Sequence, residues 1–218
     1  MTKLDKAGFD LLEELAANNT RDWYSEHKAK FQSEVLDPFA GILEAVTARL
    51  TAAEMDFRGG KKTMFRMNRD VRFSKDKSPY KTNVSGMLTP SGDKAETNGF
   101  VYIQVSAEGG FAAFGRYKLR PAALGPIRDR ILEETSTFEG IMAALKASGL
   151  DLVRDDKLKS MPRGYSDHDE HPFADELKLK NMMVRIDLDL ADFRSGGVVD
   201  RVADTALKCK RFIRFVSV

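Results

Sequence analysis

The chain of 218 residues has a formal net charge of +2, with 42% hydrophobic and 31% charged residues. This balance is typical of a folded globular protein, and so small a net charge argues against general coating of nucleic acid. The single cysteine cannot form an internal disulfide, and no secretory signal or apolar run of roughly 20 residues is present, so we expect one cytoplasmic domain over residues 1–218 without membrane association.

The first fifty residues carry apolar side chains at helical spacing. Phe9, Leu12 and Leu15 share one face of a predicted first helix. The polar step Asn18–Thr20 ends that helix and caps a second one, which begins at Arg21 or Asp22. Apolar residues continue beyond Pro38, where a helix can restart, so we predict two long helices that meet near this proline.

From Thr63 the apolar residues alternate, which predicts a strand with cations on its outward face. The same alternation predicts strands at Val84–Leu88, Phe100–Ala107, Gly110–Tyr117 and Met182–Leu190. Between them, helices are predicted after Pro121 and Thr137 and at Ala174–Lys180, and a C-terminal helix buries Cys209 as a core side chain. The predicted fold class is therefore α+β, with a mostly antiparallel, twisted sheet of about five strands covered by N-terminal, middle and C-terminal helices.

The strongest local charge lies in Lys61–Lys81. The candidate ligand-binding residues there are Arg66, Arg69, Arg72, Lys75, Lys77, Tyr80 and Lys81. Arginine offers paired donors to phosphate or carboxylate and lysine adds mobile charge, so the segment predicts a pocket for a small anionic ligand, in particular a phosphate-bearing one. Asp70 and Asp76 would hold these cations in position, and Asp70 is also a candidate proton carrier. The preceding Gly59–Lys62 lacks the spacing of a nucleotide-binding loop.

Several strings resemble the motifs of the domain-of-unknown-function 2461 family of bacteria and fungi. They are Asn18-Asn19, RDWY at 21–24, RDVRFSKDKSPYK at 69–81, PRGY at 162–165, His171-Pro172 and LKLK at 177–180. The resemblance covers residues 8–190 and implies one α+β domain without supplying an activity. It also groups the central cations with a later region that contains Arg163, His171, Lys178 and Lys180.

That later region contributes three further candidates. Arg163 and Lys178 are predicted to add to the ligand site, and His171 could act as a general acid or base beside an anionic substrate. The run Asp167–His171 contains ligand types that zinc accepts, but its spacing matches no established zinc pattern, so we predict no metal site and identify no cofactor. Trp23 and Tyr24 could stack a base only if their helix borders Lys61–Lys81, which we call the cationic segment.

These patterns leave three functions open. The leading hypothesis is a pocket for a small phosphate-bearing anion, with phosphoester or nucleotide chemistry if the protein is an enzyme. The alternative is a non-catalytic module that uses the same cations to bind an acidic protein surface or nucleic acid. Under a third, structural interpretation, the cations only pair with neighbouring carboxylates and hold the loops in place.

Overall fold

The computed structural model describes residues 2–96 and 98–218, and within them it shows an α+β fold with a four-stranded antiparallel sheet in the order β1-β2-β3-β4. The strands are β1 (Asn83–Leu88), β2 (Phe100–Ser106), β3 (Gly109–Arg116) and β4 (Met182–Leu188). Strands β1 and β2 pair from Asn83 opposite Ser106 to Leu88 opposite Val101. The α+β class is confirmed, and each of these four strands was predicted from alternation.

The helices follow the predicted order with small shifts. Their bounds are α1 (Lys6–Ala17), α2 (Arg21–Phe31), α3 (Asp37–Ala52), α4 (Pro121–Glu133), α5 (Thr135–Ala147), α6 (Ala174–Leu177), α7 (Leu190–Ser195), α8 (Val198–Lys208) and α9 (Lys210–Val216). As predicted, Thr20 caps α2 by accepting the Trp23 N–H at 3.2 Å. A π-helical turn, Gln32–Leu36, joins α2 to α3. Helix α7, whose start is capped by Asp189, was not predicted.

The predicted strand that starts at Thr63 is wrong, and the sheet has four strands instead of about five. This segment makes only isolated bridges in the described chain, Met64 to Gly86 and Asn68 to Tyr80. Beyond Asn68 the carboxylates of Asp70 and Asp76 accept backbone N–H groups two residues later, at 3.3 and 2.9 Å. Such local bonds compete with a strand ladder and curl the chain into turns.

Residue contacts divide the chain into two compact units. The first unit contains residues 1–96, 101–112 and 186–207 as far as they are described, and the second contains residues 98–100, 113–185 and 208–218. In the first unit α3 packs directly on β1, where a Cβ added to Gly86 would lie 2.5 Å from Leu43 Cδ1. Glycine at this position therefore permits the close approach of helix and strand. The assignment of the whole chain to a single domain stays a prediction.

The second unit contains two buried guanidinium groups that bind backbone carbonyls. Arg116 donates to the carbonyls of Val216 and Val218, both at 3.1 Å. Arg128 donates to the carbonyl of Leu177 at 2.7 Å. Because these donors satisfy backbone carbonyls at or just beyond the ends of α6 and α9, the two arginines stabilise the second unit internally and belong to its architecture. Across the described residues, no helix is both long and apolar enough to cross a bilayer.

Candidate anion-binding site

The first unit contains a surface cleft of about 530 Å³. Its walls come from α2, the π-helical turn, the segment Lys61–Asn68, and two more distant residues, Tyr80 and Lys94. This volume lies within the range of small-molecule sites. We call this feature the cationic cleft, because its described lining contains four cations, Lys28, Lys61, Arg66 and Lys94, and no carboxylate.

The four cations differ in the partners that they already have. Lys61 Nζ lies 3.1 Å from Asp37 Oδ1, and Lys94 Nζ donates to the Met64 carbonyl at 3.1 Å. The side chains of Lys28 and Arg66 make no hydrogen bond or ion pair with any residue in ranges 2–96 and 98–218. Two unpaired cations in one concave site produce a positive potential that favours an anion.

A stacked tyrosine pair forms another wall of the cleft. The rings of Tyr24 and Tyr80 lie 4.1 Å apart at 22°. Helix α2 therefore does border the cationic segment, which is the condition stated above for a role of Tyr24. Burial, followed by the neighbouring Tyr80, raises the pKa of Tyr24 above its usual value of 10.0, so this phenol stays neutral at physiological pH.

Asn19 holds Tyr80 in place through its side-chain amide. The Arg69 N–H donates to the Pro79 carbonyl and the Lys81 N–H donates to the Met67 carbonyl, at 2.9 and 2.8 Å. In this antiparallel arrangement the backbone groups of Tyr80 point away from Asn68. Asn19 receives them: its Nδ2 donates to the Tyr80 carbonyl at 3.0 Å and its Oδ1 accepts the Tyr80 N–H at 3.1 Å.

The loop Arg69–Pro79, which we call the braced loop, binds most of its own cations. Arg72 donates to both oxygens of Asp70, at 2.9 and 2.7 Å, and Arg69 pairs with Asp76. Lys77 Nζ donates to the Val71 carbonyl at 2.9 Å. For Arg69 and Arg72 these contacts are those of the structural interpretation, in which carboxylates neutralise the cations. Lys77 is held by an uncharged carbonyl and keeps its charge.

The two carboxylates of the braced loop are held in their ionised form. Hydrogen bonds from Arg72 lower the pKa of Asp70. The side chain and backbone of Ser78, followed by Arg69, lower the pKa of Asp76 well below its usual range. A strongly stabilised carboxylate is a poor proton carrier near neutral pH, so these contacts oppose the catalytic role that we predicted for Asp70.

Three residues of the cationic segment have different surroundings. Lys81 Nζ lies 5.5 Å from the Phe65 ring centroid, and its pKa is lowered by burial and by the charge of Arg66. Lys75 is exposed and its side chain has no partner among the described residues. Phe73 is 95% exposed, with the Arg72 guanidinium 5.8 Å from its ring. Of the seven predicted binding residues in the segment, Arg66 and Tyr80 line the cleft.

The later candidates Arg163, His171 and Lys178 belong to the second unit. His171 Nδ1 accepts the Phe173 N–H at 3.1 Å, and Nε2 lies 3.1 Å from Thr135 Oγ1, so both ring nitrogens are engaged. Lys178 pairs with Asp175 at 3.3 Å, whereas Arg163 is exposed. Their participation in the ligand site stays a prediction. No group of three or more possible metal-ligating side chains occurs in the described parts of the chain.

Comparison with known protein families matches residues 7–215 to the family described as "Conserved hypothetical protein (DUF2461)". The chain belongs to this family. The match spans nearly the whole chain and confirms the resemblance that its motifs showed, and the family's description names no activity. Searches of the curated proteins and of the solved structures each found no match.

For this DUF2461 chain, sequence reasoning missed Lys28, Lys61 and Lys94 as cleft residues. A signal for the first existed: Tyr24, Lys28, Gln32 and Leu36 recur every four residues and all line the cleft. This spacing marks one face of a helix, and here the face is polar at Lys28 and Gln32. Lys61 and Lys94 reach the cleft only through the tertiary fold, and local spacing indicates neither.

Proposed function

We propose that this protein binds a small phosphate-bearing anion in the cationic cleft, and that it does so in the cytoplasm. The observation that carries the proposal is the pair of unpaired cations, Lys28 and Arg66, in a cleft whose described lining contains no carboxylate. In a folded protein such cations repel one another, and an anion that they share removes the repulsion. Burial lowers the pKa of Lys81, and the charge of Arg66 adds to this lowering.

Uncharged donors favour phosphate over a simple halide. Tyr24, Ser25, Tyr80 and Asn68 line the cleft, and their side-chain hydroxyl and amide groups make no hydrogen bond with a described residue. A phosphoryl group presents three strong acceptor oxygens, and an arginine fork can bind two of them together. The cleft therefore offers both the charge and the directed donors that a phosphoryl group uses.

The proposal concerns binding and assigns no reaction. None of the described lining residues is a carboxylate, a histidine or a cysteine, which are the usual proton carriers and nucleophiles. Asp70 is paired with Arg72, and both ring nitrogens of His171 are engaged, so either group would have to leave its partners to act. Phosphoester or nucleotide chemistry thus stays a prediction that these contacts do not favour.

A second candidate function is a non-catalytic module that binds an acidic protein surface or nucleic acid. The observation that favours it is Phe73, which is 95% exposed on the braced loop, with the Arg72 guanidinium 5.8 Å from its ring and Lys75 two residues further along the chain. An exposed aromatic ring flanked by cations can stack a base or enter a partner's pocket. This function would use the braced loop in place of the cationic cleft.

Thermal shift measurements separate the two functions. At low concentrations, where general salt effects on stability are small, sodium phosphate should raise the melting temperature more than sodium chloride at equal ionic strength, because a ligand that prefers the folded protein stabilises it. Arg66→Gln should abolish the difference and alter the melting temperature without ligand by no more than about 2 °C, since the Arg66 side chain has no hydrogen bond or ion pair with a described residue to lose. Lys30→Gln, an equal charge change on α2 outside the cleft lining, is the control and should leave the phosphate shift intact.

Equal shifts with phosphate and chloride, or an unchanged phosphate shift in Arg66→Gln, would contradict the proposal. The alternative makes the opposite prediction for an oligonucleotide or an acidic peptide. Phe73→Ala should abolish binding of that partner, Arg66→Gln should leave it largely intact, and affinity should fall steeply with salt.

A further inference from the structure

We infer that the ligand of the cationic cleft is a nucleoside diphosphate, that is, a diphosphate whose organic part is a flat heteroaromatic base joined to a pentose. This inference rests on the proposed function and deepens it. Three features of the cleft carry it: the amount of uncompensated charge, the space beyond a single phosphate, and the chemistry of the remaining walls.

The first argument concerns charge. The four lining cations are offset by one contacting carboxylate, Asp37, which pairs with Lys61. Asp70 also interacts with the charge of Arg66, but it is already neutralised by Arg72, so a formal charge of +3 remains. Bonds from Gln32 and Lys61 lower the pKa of Asp37, and this offset is therefore permanent at neutral pH. A phosphate monoester carries about −1.5 to −2 at pH 7, which leaves the cleft positive, whereas a second phosphoryl group supplies about the missing charge.

The second argument concerns space and apolar surface. A cleft of about 530 Å³ is far larger than a phosphate ion requires. Leu36, Met64, Phe65 and Met67 line it together with the stacked Tyr24 and Tyr80. Methionine side chains adapt to flat rings and make favourable sulfur–aromatic contacts. A ligand that filled only the cationic part would leave these walls in contact with water.

The third argument concerns the edges of the organic part. The Asn68 side chain carries both a donor and an acceptor, neither bonded to a described residue, and Ser25 adds a hydroxyl group. A base has apolar faces and an edge of donors and acceptors, so it matches a site with aromatic or methionine walls and a free amide. A sugar diphosphate would match the charge but makes poor use of the apolar walls.

Isothermal titration calorimetry of the full chain in a metal chelator tests the inference. The ligands are inorganic phosphate, pyrophosphate, and the mono-, di- and triphosphates of one nucleoside. We expect the nucleoside diphosphate to bind at least tenfold more tightly than both the monophosphate and pyrophosphate. The triphosphate should add less than a further threefold, because the charge of the cleft is already matched. Lys28→Gln and Arg66→Gln should each weaken diphosphate binding at least tenfold, and Lys30→Gln should not.

The outcomes separate this inference from the proposed function. Equal affinity for mono- and diphosphate overturns the inference but leaves phosphate binding standing. An equal gain at every added phosphate also overturns it, because that result describes a general polyanion site. Pyrophosphate affinity equal to that of the nucleoside diphosphate removes the role of the base. If no phosphate compound binds, the inference and the proposed function both fail.

Discussion

Replacement of Asn19 by alanine tests how the cleft wall is held. Asn68 and Tyr80 face each other in an antiparallel bridge but do not hydrogen-bond to each other. The hydrogen bonds of this bridge are donated by the N–H groups of the next residues, Arg69 and Lys81. The backbone N–H and carbonyl of Tyr80 therefore point outward, and Asn19 binds both, as a neighbouring strand would. Asn19→Ala removes both bonds and leaves the Tyr80 backbone to water.

The size of the effect follows from the two bonds, at 3.0 and 3.1 Å. Each ordinary hydrogen bond contributes about 0.5–1.5 kcal/mol net, so the local opening of Tyr80 should become easier by about 1–3 kcal/mol. Since 1.4 kcal/mol corresponds to about a factor of ten, the Tyr80 amide hydrogen should exchange with solvent about 5- to 140-fold faster. Affinity for phosphate should fall as well, because Tyr80 lines the cleft.

Hydrogen exchange measured by NMR on wild type and two variants checks this prediction. The matched control is Asn18→Ala, the adjacent asparagine, whose side chain donates to the Glu14 carbonyl at 3.0 Å at the end of α1. Asn18→Ala should leave the Tyr80 amide and phosphate binding unchanged. Unchanged Tyr80 exchange in Asn19→Ala, or the same acceleration in both variants, would refute the reasoning.

Three further predictions concern stability and reactivity. The pKa of Asp76 is lowered in the folded state from a reference of 3.8, so its contribution to the stability of the folded state is present above pH 3.8 and is lost as the pH falls below that value. The melting temperature of Asp76→Asn should therefore fall less steeply in acid than that of wild type. Gly115→Ala should destabilise the protein by about 2–4 kcal/mol in urea denaturation, because φ is +133° and an added Cβ would lie 2.2 Å from the Met182 carbonyl oxygen. The control is Gly140→Ala, where an added Cβ meets no atom within 4 Å, and it should be neutral or stabilising by up to about 1 kcal/mol. Cys209 is buried and burial raises its pKa to about 12, so a thiol reagent should label it only as fast as the chain unfolds; rapid labelling in native buffer would contradict this.

Regular periodicity accounts for the parts of the fold that sequence reasoning predicted well. In β2 the buried residues Val101, Ile103 and Val105 alternate with half-buried neighbours, and this two-residue period appears directly in the sequence. The predicted strand after Thr63 has the same alternation but fails, because Asp70 and Asp76 form local bonds that alternation does not take into account. Helix α7 was missed because six residues contain too few turns to show a helical period.

The candidate site was located only in part because a dense run of mixed charges neutralises itself. Asp70 and Arg72 are two residues apart, and a short turn brings them into a bidentate pair, so these neighbours in sequence satisfy each other before a ligand arrives. The cations without an ion pair come instead from separate segments: Lys28 from a helix face, and Arg66 from an irregular stretch whose nearest acid, Asp70, is already bound by Arg72. Charge that remains available to a ligand is charge without an acidic neighbour in space, and a count of cations along the chain does not measure that quantity. The useful sequence signal is therefore a cation that is far from any carboxylate on its own helix face or loop, next to aromatic residues, as Lys28 is beside Tyr24.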